Sequence, residues 1–346
     1  MSSLFSSWLR TCALAALVGP VASDLAYSAE ANTVATTKSA ADCCQSRTSG
    51  KRAGDQIWLV CTRHLGCDGV TEQLPDYRVQ YFAQDAWHHA DAATLLSYDD
   101  PTRATVIYVH GNRYSAGDAI ASGWEAYHAL TRCAADQPVR FVIWSWPSDK
   151  QGGPIRDARS KSSRTLVEGY YLARLMTRIQ PEVSTSIIGY SFGSRVALGA
   201  VHMAGGGQLA GRVVPDLQQQ DQTAMYRVVM LAAGTEDDGL LPGQRFQMAM
   251  SRTEHLLNLY NPADPVLKRF HVINKWEKPS AMGYAGIYGE RSLGTAAERI
   301  TDCNVSGVIG KTHDEEAYFA SERLMCQVRA TVLWPKAVVP VKLTQQ

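Results

Sequence analysis

The segment Gly189-Tyr190-Ser191-Phe192-Gly193 constrains this chain more than any other five residues. It follows the run 184–188 (STSII) without a spacer and opens a helical stretch that begins near Ser194 (SRVALGAVHMA). A strand that turns into a helix this sharply brings two backbones too close for Cβ atoms, so Gly189 and Gly193 flank the turn. Ser191 then projects from the tip, above a helix N-terminus that favours developing negative charge. A turn of this kind belongs to a parallel sheet with crossover helices.

The rest of the chain supplies such a sheet. Residues 105–109 (TVIYV), 140–144 (RFVIW), 184–188 (STSII) and 226–231 (YRVVML) are short, apolar and β-branched or aromatic, which predicts buried parallel strands. Between them, 116–134 and 157–179 carry apolar residues at three- and four-residue spacing and predict helices. Residues 56–61 and 77–82 suit an antiparallel entrance, and 255–260 and 305–309 suit late strands. The expected fold is α/β, with a mostly parallel central sheet and helices on both faces. It fills one domain at 56–335, preceded by a flexible extension at 29–55 and followed by a tail at 336–346.

Residues 1–28 read as an export signal: Arg10 precedes a short apolar core, Gly19-Pro20 breaks it, and small residues mark cleavage near 23 or 28. The expected location is therefore periplasmic or secreted. Export changes the reading of Cys43, Cys44, Cys61, Cys67, Cys133, Cys303 and Cys326, because thiols pair in oxidising compartments. Their spacings match no common zinc pattern, so structural disulfides or inert thiols are expected. With 34 Lys plus Arg against 33 Asp plus Glu, the net charge of +1 gives no field for a polyanion, and nucleic acid is not an expected partner. No run after the signal reaches the roughly 20 apolar residues of a membrane span.

A serine hydroxyl needs an imidazole to take its proton and a carboxylate to orient that imidazole. In the chain order serine, acid, histidine, only His271 and His313 follow every plausible acid. His271 lies in an apolar segment and is expected to pack or cap. His313, in Gly310-Lys311-Thr312-His313-Asp314 before a helix-forming stretch from Glu315, is the expected base. Asp264, in Asn261-Pro262-Ala263-Asp264-Pro265 after a strand, is the preferred acid, with Asp237 and Asp238 its rivals. Asp302 and Asp314 are expected as solvated loop or capping residues. His110-Gly111-Asn112-Arg113-Tyr114 ends another strand and predicts an oxyanion loop. The donors would be the amide of Phe192 and that of Asn112 or Arg113; Gly111 would permit close approach and His110 brace the loop.

These motifs, in this order, resemble the alpha/beta-hydrolase superfamily: HGN, GYSFG, NPADPV and GKTHD, with the tryptophan-proline turn of 141–148 (FVIWSWPS) closest to a poorly characterised bacterial esterase/lipase-like branch. The resemblance implies an alpha/beta-hydrolase fold, a Ser191-His313-Asp264 triad and an ester or amide substrate. Phe192 stands where many relatives have a smaller residue, which implies a narrowed pocket. The expected protein is an exported carboxylesterase or lipase-like enzyme acting on a small-molecule or lipid-like acyl substrate. The alternatives are an amidase, thioesterase or acyltransferase with the same triad, or a non-catalytic binding module of the cell envelope. No HExxH, P-loop or GxGxxG occurs in suitable context, so no metal and no cofactor is expected. Tyr114, Trp146, Tyr190 and Phe192 are expected to line the acyl pocket, and 276–299, rich in glycine and aromatics, to form a cap or mobile loop.

Overall fold

A computed structural model of the chain describes residues 50–334 except 68–72, 133, 135–136, 216, 218–222 and 274–277. The expected signal at 1–28, most of the extension at 29–55, the tail at 336–346, Cys43, Cys44, Cys133 and Trp276 lie outside the described residues.

In chain order the strands are β1 (Gln56–Cys61), β2 (Arg78–Ala83), β3 (Ala86–Ala90), β4 (Ala104–Val109), β5 (Val139–Ser145), β6 (Thr185–Tyr190), β7 (Tyr226–Leu231), β8 (Thr253–Tyr260) and β9 (Ile300–Asn304). They form one nine-stranded sheet in the order β3-β2-β1-β5-β4-β6-β7-β8-β9. Every pairing from β1 to β9 is parallel, and the hairpin β2–β3 adds an antiparallel edge beside β1. β4, β5 and β6 are buried at every position, so both faces of the central sheet are covered.

The covering helices fall into two groups. α2 (Ala116–Thr131), α7 (Glu315–Ala320) and α8 (Glu322–Val332) pack on one another; α3 (Pro154–Met176) and α4 (Phe192–Ala204) pack together in the second group. α2 begins with a reciprocal Ser115–Asp118 capping box, and α3 carries Pro154 in its first turn, where a missing N–H costs nothing. Three short helices, α1 (Ala92–Ser97), α5 (Met282–Ala285) and α6 (Ser306–Ile309), complete the α elements. The architecture is an α/β-hydrolase-like fold, and none of its described helices is long and apolar enough to cross a membrane.

Two departures from the sequence reading have simple causes. The last strand is 300–304 rather than 305–309, where the Asn304 side chain accepts from the Ser306 amide and turns the chain into α6. β9 is a half-exposed edge strand, so it carries no apolar run to read. β3 escaped notice because its hairpin turn uses Gln84 and Asp85 at φ 51° and 59° instead of the usual glycine pair. Residues 52–55 of the expected extension dock on the domain: the Arg52 amide donates to Tyr127 Oη, and buried Asp55 accepts from the Val139 amide. Cys61, Cys67, Cys303 and Cys326 are free thiols, so the expected disulfides do not form among them.

Candidate active site

Ser191 stands between β6 and α4 at φ 50°, ψ −118°, a conformation that L residues avoid. The turn is held from three sides: the Ser191 amide donates to Leu231 O at 2.9 Å, and Ser191 O accepts from the Gly234 and Ser194 amides. The flanking glycines are sterically required. A Cβ at Gly189 would lie 2.6 Å from Ser194 Cα, and one at Gly193 would lie 2.0 Å from Val109 O.

His313 reaches this serine from the loop after α6. Its Nε2 lies 3.1 Å from Ser191 Oγ and its Nδ1 lies 2.6 Å from Asp264 Oδ2. Because the carboxylate accepts from Nδ1–H, Nε2 carries the lone pair that faces the serine hydroxyl. Asp264 is fully buried after β8, and its other oxygen accepts from the Val266 and Leu267 amides at 2.8 and 3.0 Å. Thus Ser191, His313 and Asp264, drawn from three separate loops, form one hydrogen-bonded chain.

Asp237 and Asp238 make no hydrogen bond to His313. They line a different, polar cavity of about 850 Å³ with Glu236, Arg245 and His202, and burial together with Asp238 pushes the Asp237 carboxyl upward. Asp302 is no solvated loop residue: it sits on β9, accepting from Asn258 Nδ2 and the Ile287 amide. Asp314 stands at the N-cap position of α7 without a capping hydrogen bond, its carboxylate accepting from Thr312 Oγ1, and His271, expected to pack or cap, is exposed.

Asn261 is the residue that sequence reasoning missed here. Buried before Asp264, it donates from Nδ2 to Gly310 O at 2.8 Å and Thr312 O at 3.3 Å, and its Oδ1 accepts from the Ala263 amide. One side chain therefore ties the acid loop to the histidine loop. Tyr190 adds a second tie, donating from its hydroxyl to His313 O at 2.5 Å. Below them, Glu315 accepts from Tyr108, Tyr114 and Ser122, joining α7 to β4, α2 and the loop after β4. Burial pushes the Glu315 carboxyl upward, and the three hydroxyls oppose that shift.

The loop 110–114 lies against Ser191: a Cβ at Gly111 would be 3.4 Å from Ser191 Cβ. His110 is fully buried and braces it. Its Nδ1–H donates to Gly111 O, its Nε2 accepts from the Trp146 amide, and Trp146 Nε1–H donates to His110 O. Burial pushes the His110 imidazole down to about 3, so the ring is neutral. The Arg113 amide is already engaged, donating to Ser148 O at 2.8 Å, whereas the Asn112 amide and the Phe192 amide at the start of α4 make no hydrogen bond among the described residues. The tryptophan-proline turn is thereby explained: Trp146 and Ser148 form the back of this loop.

Trp146, Tyr190 and Phe192, expected in the acyl pocket, are at most 6% exposed and belong to the core, while Tyr114 is half-buried. The described part of the expected cap is stitched down, with Met282 and Gly283 donating to Thr235 O and Ala233 O and Gly283 O accepting from Asn261. Among the described residues no three His, Cys, Asp or Glu side chains gather in a metal-binding arrangement.

No family model matches the chain, and no curated protein matches it. Among solved structures the chain is similar to the product of the lin2722 gene from Listeria innocua, with 10% identity and a TM-score of 0.36 over 68% of this chain and 96% of that one. At that score the likeness adds nothing to the geometry of the site.

Proposed function

We propose that this protein is an exported serine hydrolase of carboxylesterase or lipase-like type, acting on a neutral acyl substrate. The observation that carries the reading is the continuous chain from Ser191 Oγ through His313 to buried Asp264. Ser191 attacks the substrate carbonyl as its proton passes to His313 Nε2, and Asp264 stabilises the imidazolium that forms. The negative charge on the carbonyl oxygen is met by the amides of Phe192 and Asn112; the engagement of the Arg113 amide with Ser148 O favours Asn112 over Arg113 for this role. His313 returns the proton to the leaving group, the acyl-enzyme forms, and a water activated by the same imidazole releases the acid. Thioesters and amides would follow the same route, so the ester class rests on the resemblance of the motifs and not on the triad.

A fluorophosphonate probe tests the reading. Wild type is expected to label at Ser191, Ser191→Ala not at all, and Asp264→Asn about 10³-fold more slowly because the imidazole loses its orienting acceptor. Asp237→Asn and Asp238→Asn should label at the wild-type rate. A wild type that stays unlabelled would favour the non-catalytic envelope module.

A further inference from the structure

The loop 110–114 belongs to no strand or helix, and Arg113 within it adopts φ 71°, in the left-handed region. Its shape therefore depends on what holds it. Trp146 and Ser148 hold one side. Arg63 and Glu315 hold Tyr114 at its end, and the Asn112 side chain is held by one carboxylate, Asp157, in the first turn of α3 and 1% exposed.

Asp157 divides its two oxygens between two chain segments. Oδ2 accepts from Asn112 Nδ2 at 2.8 Å, with the Arg113 guanidinium 3.9 Å away, and Oδ1 accepts from the Gln151 amide at 2.8 Å. A buried carboxylate persists only with such partners, and here they are the oxyanion loop and the approach to α3. The Asn112 side chain has no other anchor, since its Oδ1 is buried without a hydrogen bond. The tether to Asp157 thus fixes the side chain of the residue that follows Gly111, and Gly111 lies against Ser191. Donors for an oxyanion are effective when they are fixed before charge develops.

We propose that Asp157 is the positioning residue of the oxyanion loop, holding Asn112 so that its amide is preset toward the carbonyl oxygen. This rests on the serine-hydrolase reading. Removing the tether should weaken transition-state stabilisation while leaving the triad and substrate contact intact.

The test compares p-nitrophenyl butyrate with its thionoester analogue, whose sulfur a fixed pair of amide donors holds poorly. Asp157→Ala removes the acceptor of the Asn112 amide and is expected to lower kcat on the ester about 30-fold, with KM within threefold of wild type. The ester-to-thionoester rate ratio should fall by a similar factor. Asn112→Ala, which removes the side chain and keeps the main-chain N–H, should reproduce both effects and serves if Asp157→Ala does not fold. The double variant Asn112→Asp/Asp157→Asn reverses donor and acceptor and should recover most of kcat. A wild type inert to probe and ester overturns the hydrolase reading and this proposal with it. An active wild type with an unchanged ester-to-thionoester ratio in the single variants, or no recovery in the double variant, overturns the role of Asp157 alone.

Discussion

His110 shows how far burial alone changes a side chain. It precedes Gly111, which lies against Ser191, yet its ring is neutral, hydrogen-bonded on both nitrogens and committed to bracing the loop 110–114. The consequence is a pH-dependent stability. The unfolded ring titrates near 6.5 and the folded one near 3, so between those values the unfolded chain binds the extra proton. The stabilisation present above pH 6.5 is lost as pH falls toward 3, amounting to about 2 kcal/mol by pH 5. Glu315, pushed upward by burial, works in the opposite sense, because the folded chain takes up its proton first. The His110 share is isolated by comparison: His110→Gln should flatten the slope of urea-unfolding free energy between pH 6.5 and 5, and an unchanged slope would remove the ring from the account. At this scale the sequence was legible where residue type and order were enough, as for Ser191 and His313. Order and position after a strand also put Asp264 ahead of Asp237 and Asp238, and it is Asp264 that meets His313 Nδ1. Asp157 was illegible, since a carboxylate in the first turn of a helix reads as an ordinary solvated charge that favours the dipole.

At the scale of elements, the nucleophile turn depends on close approach between β6, α4 and the end of β4. Gly193 is the narrowest point, because the atoms a Cβ would strike are the carbonyl oxygens of Val109 and His110 and cannot swing aside. Gly193→Ala is expected to cost about 3 kcal/mol or more, lower Tm by roughly 5 °C and abolish activity. Differential scanning calorimetry and ester turnover check it; a variant with wild-type Tm would show that the turn has room to relax. The elements most easily read were the central strands, since burial on both faces makes them continuously apolar. β3 and β9 were missed or displaced because edge strands are half-exposed and alternate too weakly to be seen. The bonds that hold the loop around Asp264 come from Asn261 and the Asp264 carboxylate itself.

At the scale of the whole molecule, the site is assembled from the ends of β4, β6 and β8 and the loop beyond β9, and no two of its parts share a local segment. Sheet and site should therefore be lost together: activity and far-UV circular dichroism are expected to fall in one urea transition. Activity vanishing well ahead of the sheet signal would show that the histidine loop opens as a separate unit. The strand order also acts as a ruler. β6, which presents Ser191, and β8, which presents Asp264, are separated by β7 alone, so the two side chains start about 10 Å apart at two strand spacings. One imidazole with a hydrogen bond at each end, 3.1 Å and 2.6 Å, spans that interval.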